Sequence, residues 1–300
     1  MPEVERKFKG VNSIKFNKYF KEEDDCYRYL ASIKWDENKY SCNKCGYLKY
    51  CKGKKPHSRR CIKCRYDESP TAGTMFDKCK FSLLIAFHIA FKISTKKKGM
   101  SSLELSQEFE LRQPTCWEFK WKIQQAMQSS KQHALKGEVQ VDEFFIGGPE
   151  EQKRGRSKGK KRLVVLAIEK VKGGVGRAYA QLIEHGSAKD FKPFFNNHIS
   201  KDAKVLTDEW RGYLPLKKQY PNLQQIPSND GENFPDLHIH IMNLKGWLRG
   251  IHHHCSKERL QGYLDEYHYR YNRRNHMGTI FHLLIKRMVE NEPKRLKSIN

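Results

Sequence analysis

No run of about 18 apolar residues occurs in the 300-residue chain, so a membrane-spanning helix is not expected. The N-terminus, "MPEVERKFKG", has no apolar h-region, and a secretory signal peptide is not expected either. No internal repeat is found. Acidic residues are scarce: 34 Asp and Glu stand against 58 Lys and Arg, a net charge of +24. The excess is spread along the chain, not confined to a tail. Its natural partner is a polyanion, nucleic acid above all, with a solubility surface or a ribosome-like structural role as the bland alternative. Hydrophobic content of 38% permits a globular core, and the length suggests about two domains.

The cysteine count is nine, an odd number without a signal peptide. That points to a reducing compartment and metal ligation rather than disulfides. "CNKCGY" and "CIKC" supply Cys42, Cys45, Cys61 and Cys64, two CxxC pairs with 15 residues between them. Each turn can aim two thiolates at one tetrahedral ion, and two turns complete a Cys₄ shell. Such a closed shell is structural, because no position is left for water. A zinc ribbon is therefore expected, with Gly46 at a turn that tolerates positive φ. Lys44, Lys49, Lys52, Lys54, Lys55, Arg59, Arg60, Lys63 and Arg65 would offer charge to phosphates; protein contact is the alternative use. Cys26, Cys51, Cys79, Cys116 and Cys255 have no partner at ligand spacing and are read as ordinary thiols.

Four zones divide the chain: an N-terminal helical segment (1–36), the zinc ribbon (37–70), a helical DNA-binding region (71–132) and an α/β region (133–290). In the third, Phe81, Leu84, Ile85, His88 and Phe91 recur at helical spacing. Ser101 and Glu104 form a capping-box pattern, and Thr115 with Glu118 offers a second cap pair. Trp117, Trp121 and Ile123 add apolar contacts. Two helices joined by a tight turn, after a packing helix, fit a helix-turn-helix whose second helix would enter the major groove. A plain helical linker is the alternative.

The fourth zone alternates strands and helices. "GEVQVDEFFIGG" reads as a strand, "KRLVVLAIEKV" as a second buried on both faces, and "GRAYAQLIE" as a third. "SAKDFKPFFNNHI" reads as a helix capped by Ser187, and "AKVLTDEWRGY" as a fourth strand ending at Asp208. Between the first two strands, "KRGRSKGKKR" (153–162) holds seven basic residues in ten and reads as a flexible loop. Three strands, a helix and a fourth strand is the order of an RNase H-like core. In that fold the first and fourth strands lie side by side, so Asp142 and Asp208 would meet. Two carboxylates brought together repel unless divalent metals are bound, and two metals make a phosphoryl-transfer site. Glu143 and Glu209 each follow such an Asp directly, would face the other side of a strand, and receive no ligand role.

The chain resembles the zinc-ribbon DDE transposases of bacterial insertion sequences, the group related to eukaryotic Merlin elements. The resemblance is carried, nearly end to end, by "CNKCGY", "CIKC", "SPTAGTMFDKCK", "STKKKGMSSLELS", "VDEFFIGG", "VLTDEWRGY" and "HHHCSKERLQGYLDEYHYRYNRR". It implies a helix-turn-helix, an RNase H-like catalytic core, and cut-and-join chemistry on the element's own ends. It also implies a third metal ligand on a late helix, acidic in many members, with a Lys seven residues on. In "LHIHIMNLKGWLRG" Lys245 fits that Lys, and His238 stands where the acid would be. Glu, Asn or His is accepted there in the group. An imidazole favours Mn²⁺ over Mg²⁺ more than a carboxylate would. Asn243, and Glu232 and Asp236 on the preceding loop, are the other candidates. Lys245 would reach a phosphate beside the scissile bond. His252, His253 and His254 diverge and are read as structural or DNA-facing, and Tyr263, Tyr267 and Tyr271 as core packing.

The resulting expectation is a cytoplasmic, nucleoid-associated DNA transposase with structural Zn²⁺ and catalytic Mg²⁺ or Mn²⁺. It would bind terminal inverted repeats and target DNA as a homodimer or higher assembly. A DNA-binding protein with an inactivated core, or another RNase H-like nuclease such as a resolvase, are the alternatives.

Overall fold

The computed structural model describes residues 7–36, 40–147, 161–252 and 255–292. Of the basic stretch 153–162 only positions 161 and 162 fall within them, and His253 and His254 lie outside. The chain divides into two compact units, Met1–Ala126 with Asn275–Asn300, and Met127–Arg274. No helix among the described residues is long and apolar enough to cross a membrane.

The first unit starts with α1 (Ser13–Tyr19) and α2 (Glu23–Lys34). A small antiparallel sheet follows, with β1 (Tyr50–Lys52), β2 (Arg59–Cys61) and β3 (Asp67–Glu68) in that order. Then come α3 (Leu83–Thr95), α4 (Ser102–Phe109) and α5 (Gln113–Met127). The chain's final helix, Ile280–Glu290, returns to this unit. Its Phe281 meets Phe8, Phe16, Phe87 and Phe91 with ring centroids 5.3–5.8 Å apart, mostly edge-to-face, the geometry that aromatic quadrupoles favour.

That aromatic cluster corrects one expectation. Leu84, Ile85 and His88 are only half-buried on α3, whereas Leu83, Ala86, Phe87, Ile89, Ala90 and Ile93 are buried. Rings from several elements cover α3 on more than one side, so no single narrow face exists to be read from periodicity. The Ser101–Glu104 capping box forms as expected. The Thr115–Glu118 pair does not cap: the Arg112 carbonyl accepts from the Thr115 and Cys116 amides at 2.9 and 3.2 Å, so α5 starts earlier. Pro114 explains the shift, because a fixed φ suits the first helical turn.

The second unit holds a five-stranded mixed sheet in the order β6-β5-β4-β7-β8. Its strands are β4 (Glu138–Ile146), β5 (Arg162–Val171), β6 (Gly174–Ile183), β7 (Lys204–Thr207) and β8 (Leu223–Gln225). Helix α6 (Ala188–His198) precedes β7, and α7 (Pro235–Ile251) and α8 (Lys257–Tyr271) follow β8. Alternation splits each central strand between two cores. Val139, Val141, Leu163, Val165, Ala167 and Val205 join Phe191, Phe194 and Phe195 of α6. Phe144, Val164, Leu166, Ile168 and Leu206 join Leu237, Ile241 and Leu244 of α7 and Leu260 and Leu264 of α8. The expected burial of β5 on both faces is met. Strand β8 was not foreseen; three residues are too few to show alternation. Ser187 sits at the N-cap of α6, but its hydroxyl bonds the Asp190 carboxylate and accepts no backbone N–H.

Tyr263, Tyr267 and Tyr271 pack on the second of these cores, and His252 stacks on Tyr263 at 3.8 Å. Deeper in, the Nε2 atoms of buried His240 and His268 are 3.2 Å apart. His268 Nδ1 bonds the Leu264 carbonyl at 2.7 Å and must donate, so its Nε2 accepts from His240. Burial, then His268, holds His240 down to about 3, and burial holds His268 to about 4. His198, buried and stacked on Tyr179, is held to about 4 by burial and Lys131. Folding keeps these rings neutral, while the unfolded chain takes up protons near 6.5. Their contribution is complete above about pH 6.5 and is lost as the pH falls toward 4, at about 2 kcal/mol per ring by pH 5. Urea midpoints at pH 7.5 and 5 are expected to differ accordingly, and the difference is expected to shrink in His240→Gln. A pH-independent midpoint would contradict this account.

Candidate active site and metal centres

In the first unit, Cys42, Cys45, Cys61 and Cys64 place their sulfurs within 4.8 Å of one another. Two cross pairs, Cys42–Cys64 and Cys45–Cys61, are each 3.6 Å apart. A tetrahedral ion with bonds of about 2.3 Å separates its ligands by about 3.8 Å, so the four thiols fit a metal. The two knuckles have the same build. Gly46 N bonds Cys42 O at 2.8 Å, and Arg65 N bonds Cys61 O at 3.0 Å. Both residues have positive φ, +70° at Gly46 and +59° at Arg65. Glycine takes that conformation at no steric cost, and arginine takes it against one. Burial raises the Cys42 thiol, but the amides of Lys44 and Cys45 bring it down to about 6; the amides of Cys64 and Lys63 act likewise at Cys61. Not all the surrounding cations face solvent. Arg59 lies over Tyr50 at 4.0 Å and Trp35 at 4.7 Å, and Arg60 meets Asp67 at 3.2 Å, so both also serve the ribbon's own packing.

In the second unit, β4 pairs in parallel with β7 up to Val141 opposite Thr207. The next residues along the same register are Asp142 and Asp208. Asp208 lies just past the strand end, where its Oδ1 accepts from Trp210 N at 3.1 Å. Gln225 of β8 donates to the Asp208 and Trp210 carbonyls at 3.1 and 3.0 Å and so pins that turn. The unforeseen strand thus supplies the group that holds Asp208 in place.

Asp142, Glu143 and Asp208 bring carboxylate oxygens within 4.8 Å of one another. Glu143 does lie on the opposite face from Asp142, as alternation requires. There Tyr213 donates to its Oε2 at 2.6 Å. Tyr213 is fully buried, stacks on Phe191 at 4.3 Å, and is held well above its ordinary pKa by burial and then by Glu143, so it remains a donor. The side chain nonetheless curls over the strand end and joins the cluster. Glu143, given no ligand role from the sequence, therefore lies within reach of the same centre as Asp142 and Asp208.

His238, on the first turn of α7, has its Nε2 4.0 Å from Asp142 Oδ2. That nitrogen is buried and has no hydrogen-bond partner among the described residues. Two ligands on one octahedral ion with bonds of about 2.1 Å stand about 3–4 Å apart, so the Asp142–His238 gap fits a divalent ion. Gly231 makes the room: a Cβ there would fall 2.9 Å from the His238 ring, and the φ of +97° suits glycine. The other candidates do not converge. Glu232 and Asn243 are exposed, and Asp236 pairs with Lys170. Lys245, two turns beyond His238, holds Nζ 5.2 Å over the Phe144 ring. Burial and Arg249 lower its pKa, and Asp142 opposes them.

Residues 134–272 match the model of the family described as the ISXO2-like transposase domain. The chain carries a DDE-type transposase domain of the insertion-sequence kind. This transposase domain contains Asp142, Asp208, His238 and Lys245, and the cysteine ribbon precedes it. Among solved structures the chain is similar to one described as "Crystal structure of a pre-cleavage Mos1 transpososome", at 12% identity, over 66% of this chain and 76% of that one, with a TM-score of 0.26. No curated protein matches. Tyr213, Gln225 and Gly231 carry no separate signal in the transposase sequence, although Tyr213 ends "VLTDEWRGY" and Gly231 directly precedes Glu232.

Proposed function

We propose that this transposase binds the terminal inverted repeats of its element, cleaves the phosphodiester at the element end, and joins the freed 3′-hydroxyl to target DNA. The observation that carries this is the meeting of Asp142 and Asp208 at the parallel β4–β7 edge, with Glu143 and His238 beside them. The fold proposed for residues 133–290 is RNase H-like. Asp142, Asp208 and His238 would hold Mg²⁺ or Mn²⁺, and Glu143 is a further carboxylate within reach. Divalent ions, when bound, supply Lewis acidity to the attacking and leaving oxygens of an in-line displacement.

The chain's own groups do the positioning. Tyr213 orients Glu143, Gln225 and the Trp210 amide orient Asp208, and Gly231 leaves His238 its space. Lys245, on the same side of α7 as His238, would take a phosphate oxygen next to the scissile bond. The Cys₄ group would hold Zn²⁺, and α3–α5, as a helix-turn-helix within 71–132, would read the repeat together with the ribbon (37–70). Both ends must be processed together, so a homodimer or higher assembly on DNA is expected, in the cytoplasm and on the nucleoid.

Purified protein incubated with a labelled element-end duplex and Mg²⁺ or Mn²⁺ is expected to nick at the end and to stop with EDTA. Binding without nicking under either metal would instead identify a DNA-binding protein with an inactive core. Gly231→Ala is expected to weaken Mn²⁺ binding and nicking about 10–100-fold, as for residues that orient a ligand. Titration of Mn²⁺ by electron paramagnetic resonance checks this, and unchanged affinity would mean that His238 needs no such room.

A further inference from the structure

Close in sequence to the carboxylates, a concavity opens in the second unit. Its volume is about 250 Å³, and Phe145, Trp210, Lys161, Arg162, His185 and Lys257 are prominent in its walls. Phe145 is two residues past Glu143 on the same strand face, and Trp210 is two residues past Asp208. The two segments that supply the carboxylates therefore also supply the aromatic walls. Trp210 is held rigidly, with its indole N–H donating to Gly186 O at 2.5 Å. Three cations, Lys161, Arg162 and Lys257, are among its lining residues, and Glu184 meets Lys257 at 2.6 Å. The surplus is positive.

The dimensions and chemistry select the occupant. The volume equals roughly eight waters, too small for a duplex or a helix and ample for one planar ring with part of its sugar. Aromatic and cationic walls suit a base held by stacking and its phosphate held by charge. Enzymes that work on DNA gain access to tight sites by taking one base out of the stack. We propose that this pocket receives a single unstacked nucleobase of the DNA strand lying at the carboxylates, next to the phosphate to be cleaved. The proposal rests on the transposase reading above.

The test places 2-aminopurine singly at each of three positions on either side of the cleavage point in the element-end duplex. With the parent protein, fluorescence is expected to rise at one position. In Phe145→Ala that rise is expected to vanish and nicking to fall about tenfold, with Phe145→Tyr retaining both. An abasic site at the same position is expected to restore nicking by Phe145→Ala, since no base then needs a berth; a merely misfolded variant would not be rescued. A duplex that is nicked with no fluorescence rise at any position overturns the pocket and leaves the transposase reading intact. Neither nicking nor a rise overturns both.

Discussion

Asp142→Asn, and separately Asp208→Asn, is expected to reduce metal-dependent nicking by about 10³-fold or more while DNA binding survives. A single preorganised hydrogen-bond donor is already worth about 10²–10³ in rate, and a ligand carboxylate should be worth no less. Asparagine has the same shape, so packing is kept and only the charge is lost. The stability change distinguishes a functional carboxylate from a structural one. Asp142, Glu143 and Asp208 crowd within 4.8 Å of one another, and removing one charge relieves repulsion. The metal-free variant is therefore expected to be as stable as the parent or more so, by on the order of 1 kcal/mol. Electrophoretic mobility shift, nicking and thermal melting on the same preparations check all three effects. A variant that nicks normally, or melts several degrees lower without metal, would remove that carboxylate from the proposed machinery.

Chelation of the Zn²⁺ proposed at the four cysteines is expected to unfold residues 40–68 and abolish specific DNA binding. The sheet there is too small to stand alone, with strands of three, three and two residues. Its core consists of Trp35, Tyr40, Cys42 and Cys61, so two of the four buried residues are the ligands themselves. Without the ion nothing replaces them, and apparent binding energies of about 10–16 kcal/mol in comparable sites are folding energies. Cys45→Ser is expected to behave as the chelated protein does. Protease cleavage mapped to the ribbon, and the shift in Trp35 emission, report the change. An unaltered cleavage map after complete metal removal would mean that the ribbon folds on side-chain packing alone.

The damage should stop short of the second unit, whose core is built from strands β4–β8 and helices α6–α8. Nicking of a short, non-specific duplex at high protein concentration is the natural control for that separation.

Much of this was legible in the residues, for identifiable reasons. CxxC spacing is a local property of two turns, so Cys42, Cys45, Cys61 and Cys64 could be grouped from the chain alone. Alternation along β4 and β5 is likewise local, and it assigned their two buried faces. Asp142 and Asp208 could be paired because a strand order carries register with it. The failures were of another kind. Thr115 looked like a cap until Pro114 set the helix start, and α3 looked one-sided until rings from α1 and the final helix surrounded it. Arg59 read only as a surface cation, but it also stacks on Tyr50 and Trp35.

What the sequence by itself determined is the set of strongly periodic or closely spaced features: the four ribbon cysteines, strands β4 to β7, and the two aspartates at matching strand positions. Tertiary structure alone decided which further groups join them. Glu143 comes within reach of them at the strand end, beyond the last β4–β7 pair at Thr207. Of the candidates for the third position, His238 is the one whose ring nitrogen comes within 4.0 Å of Asp142, past the space at Gly231, while Asn243 and Glu232 are exposed and Asp236 pairs with Lys170. Sequence records which side chains exist and how they alternate along their own element. Ligand sets are drawn across elements, and only packing sets those distances.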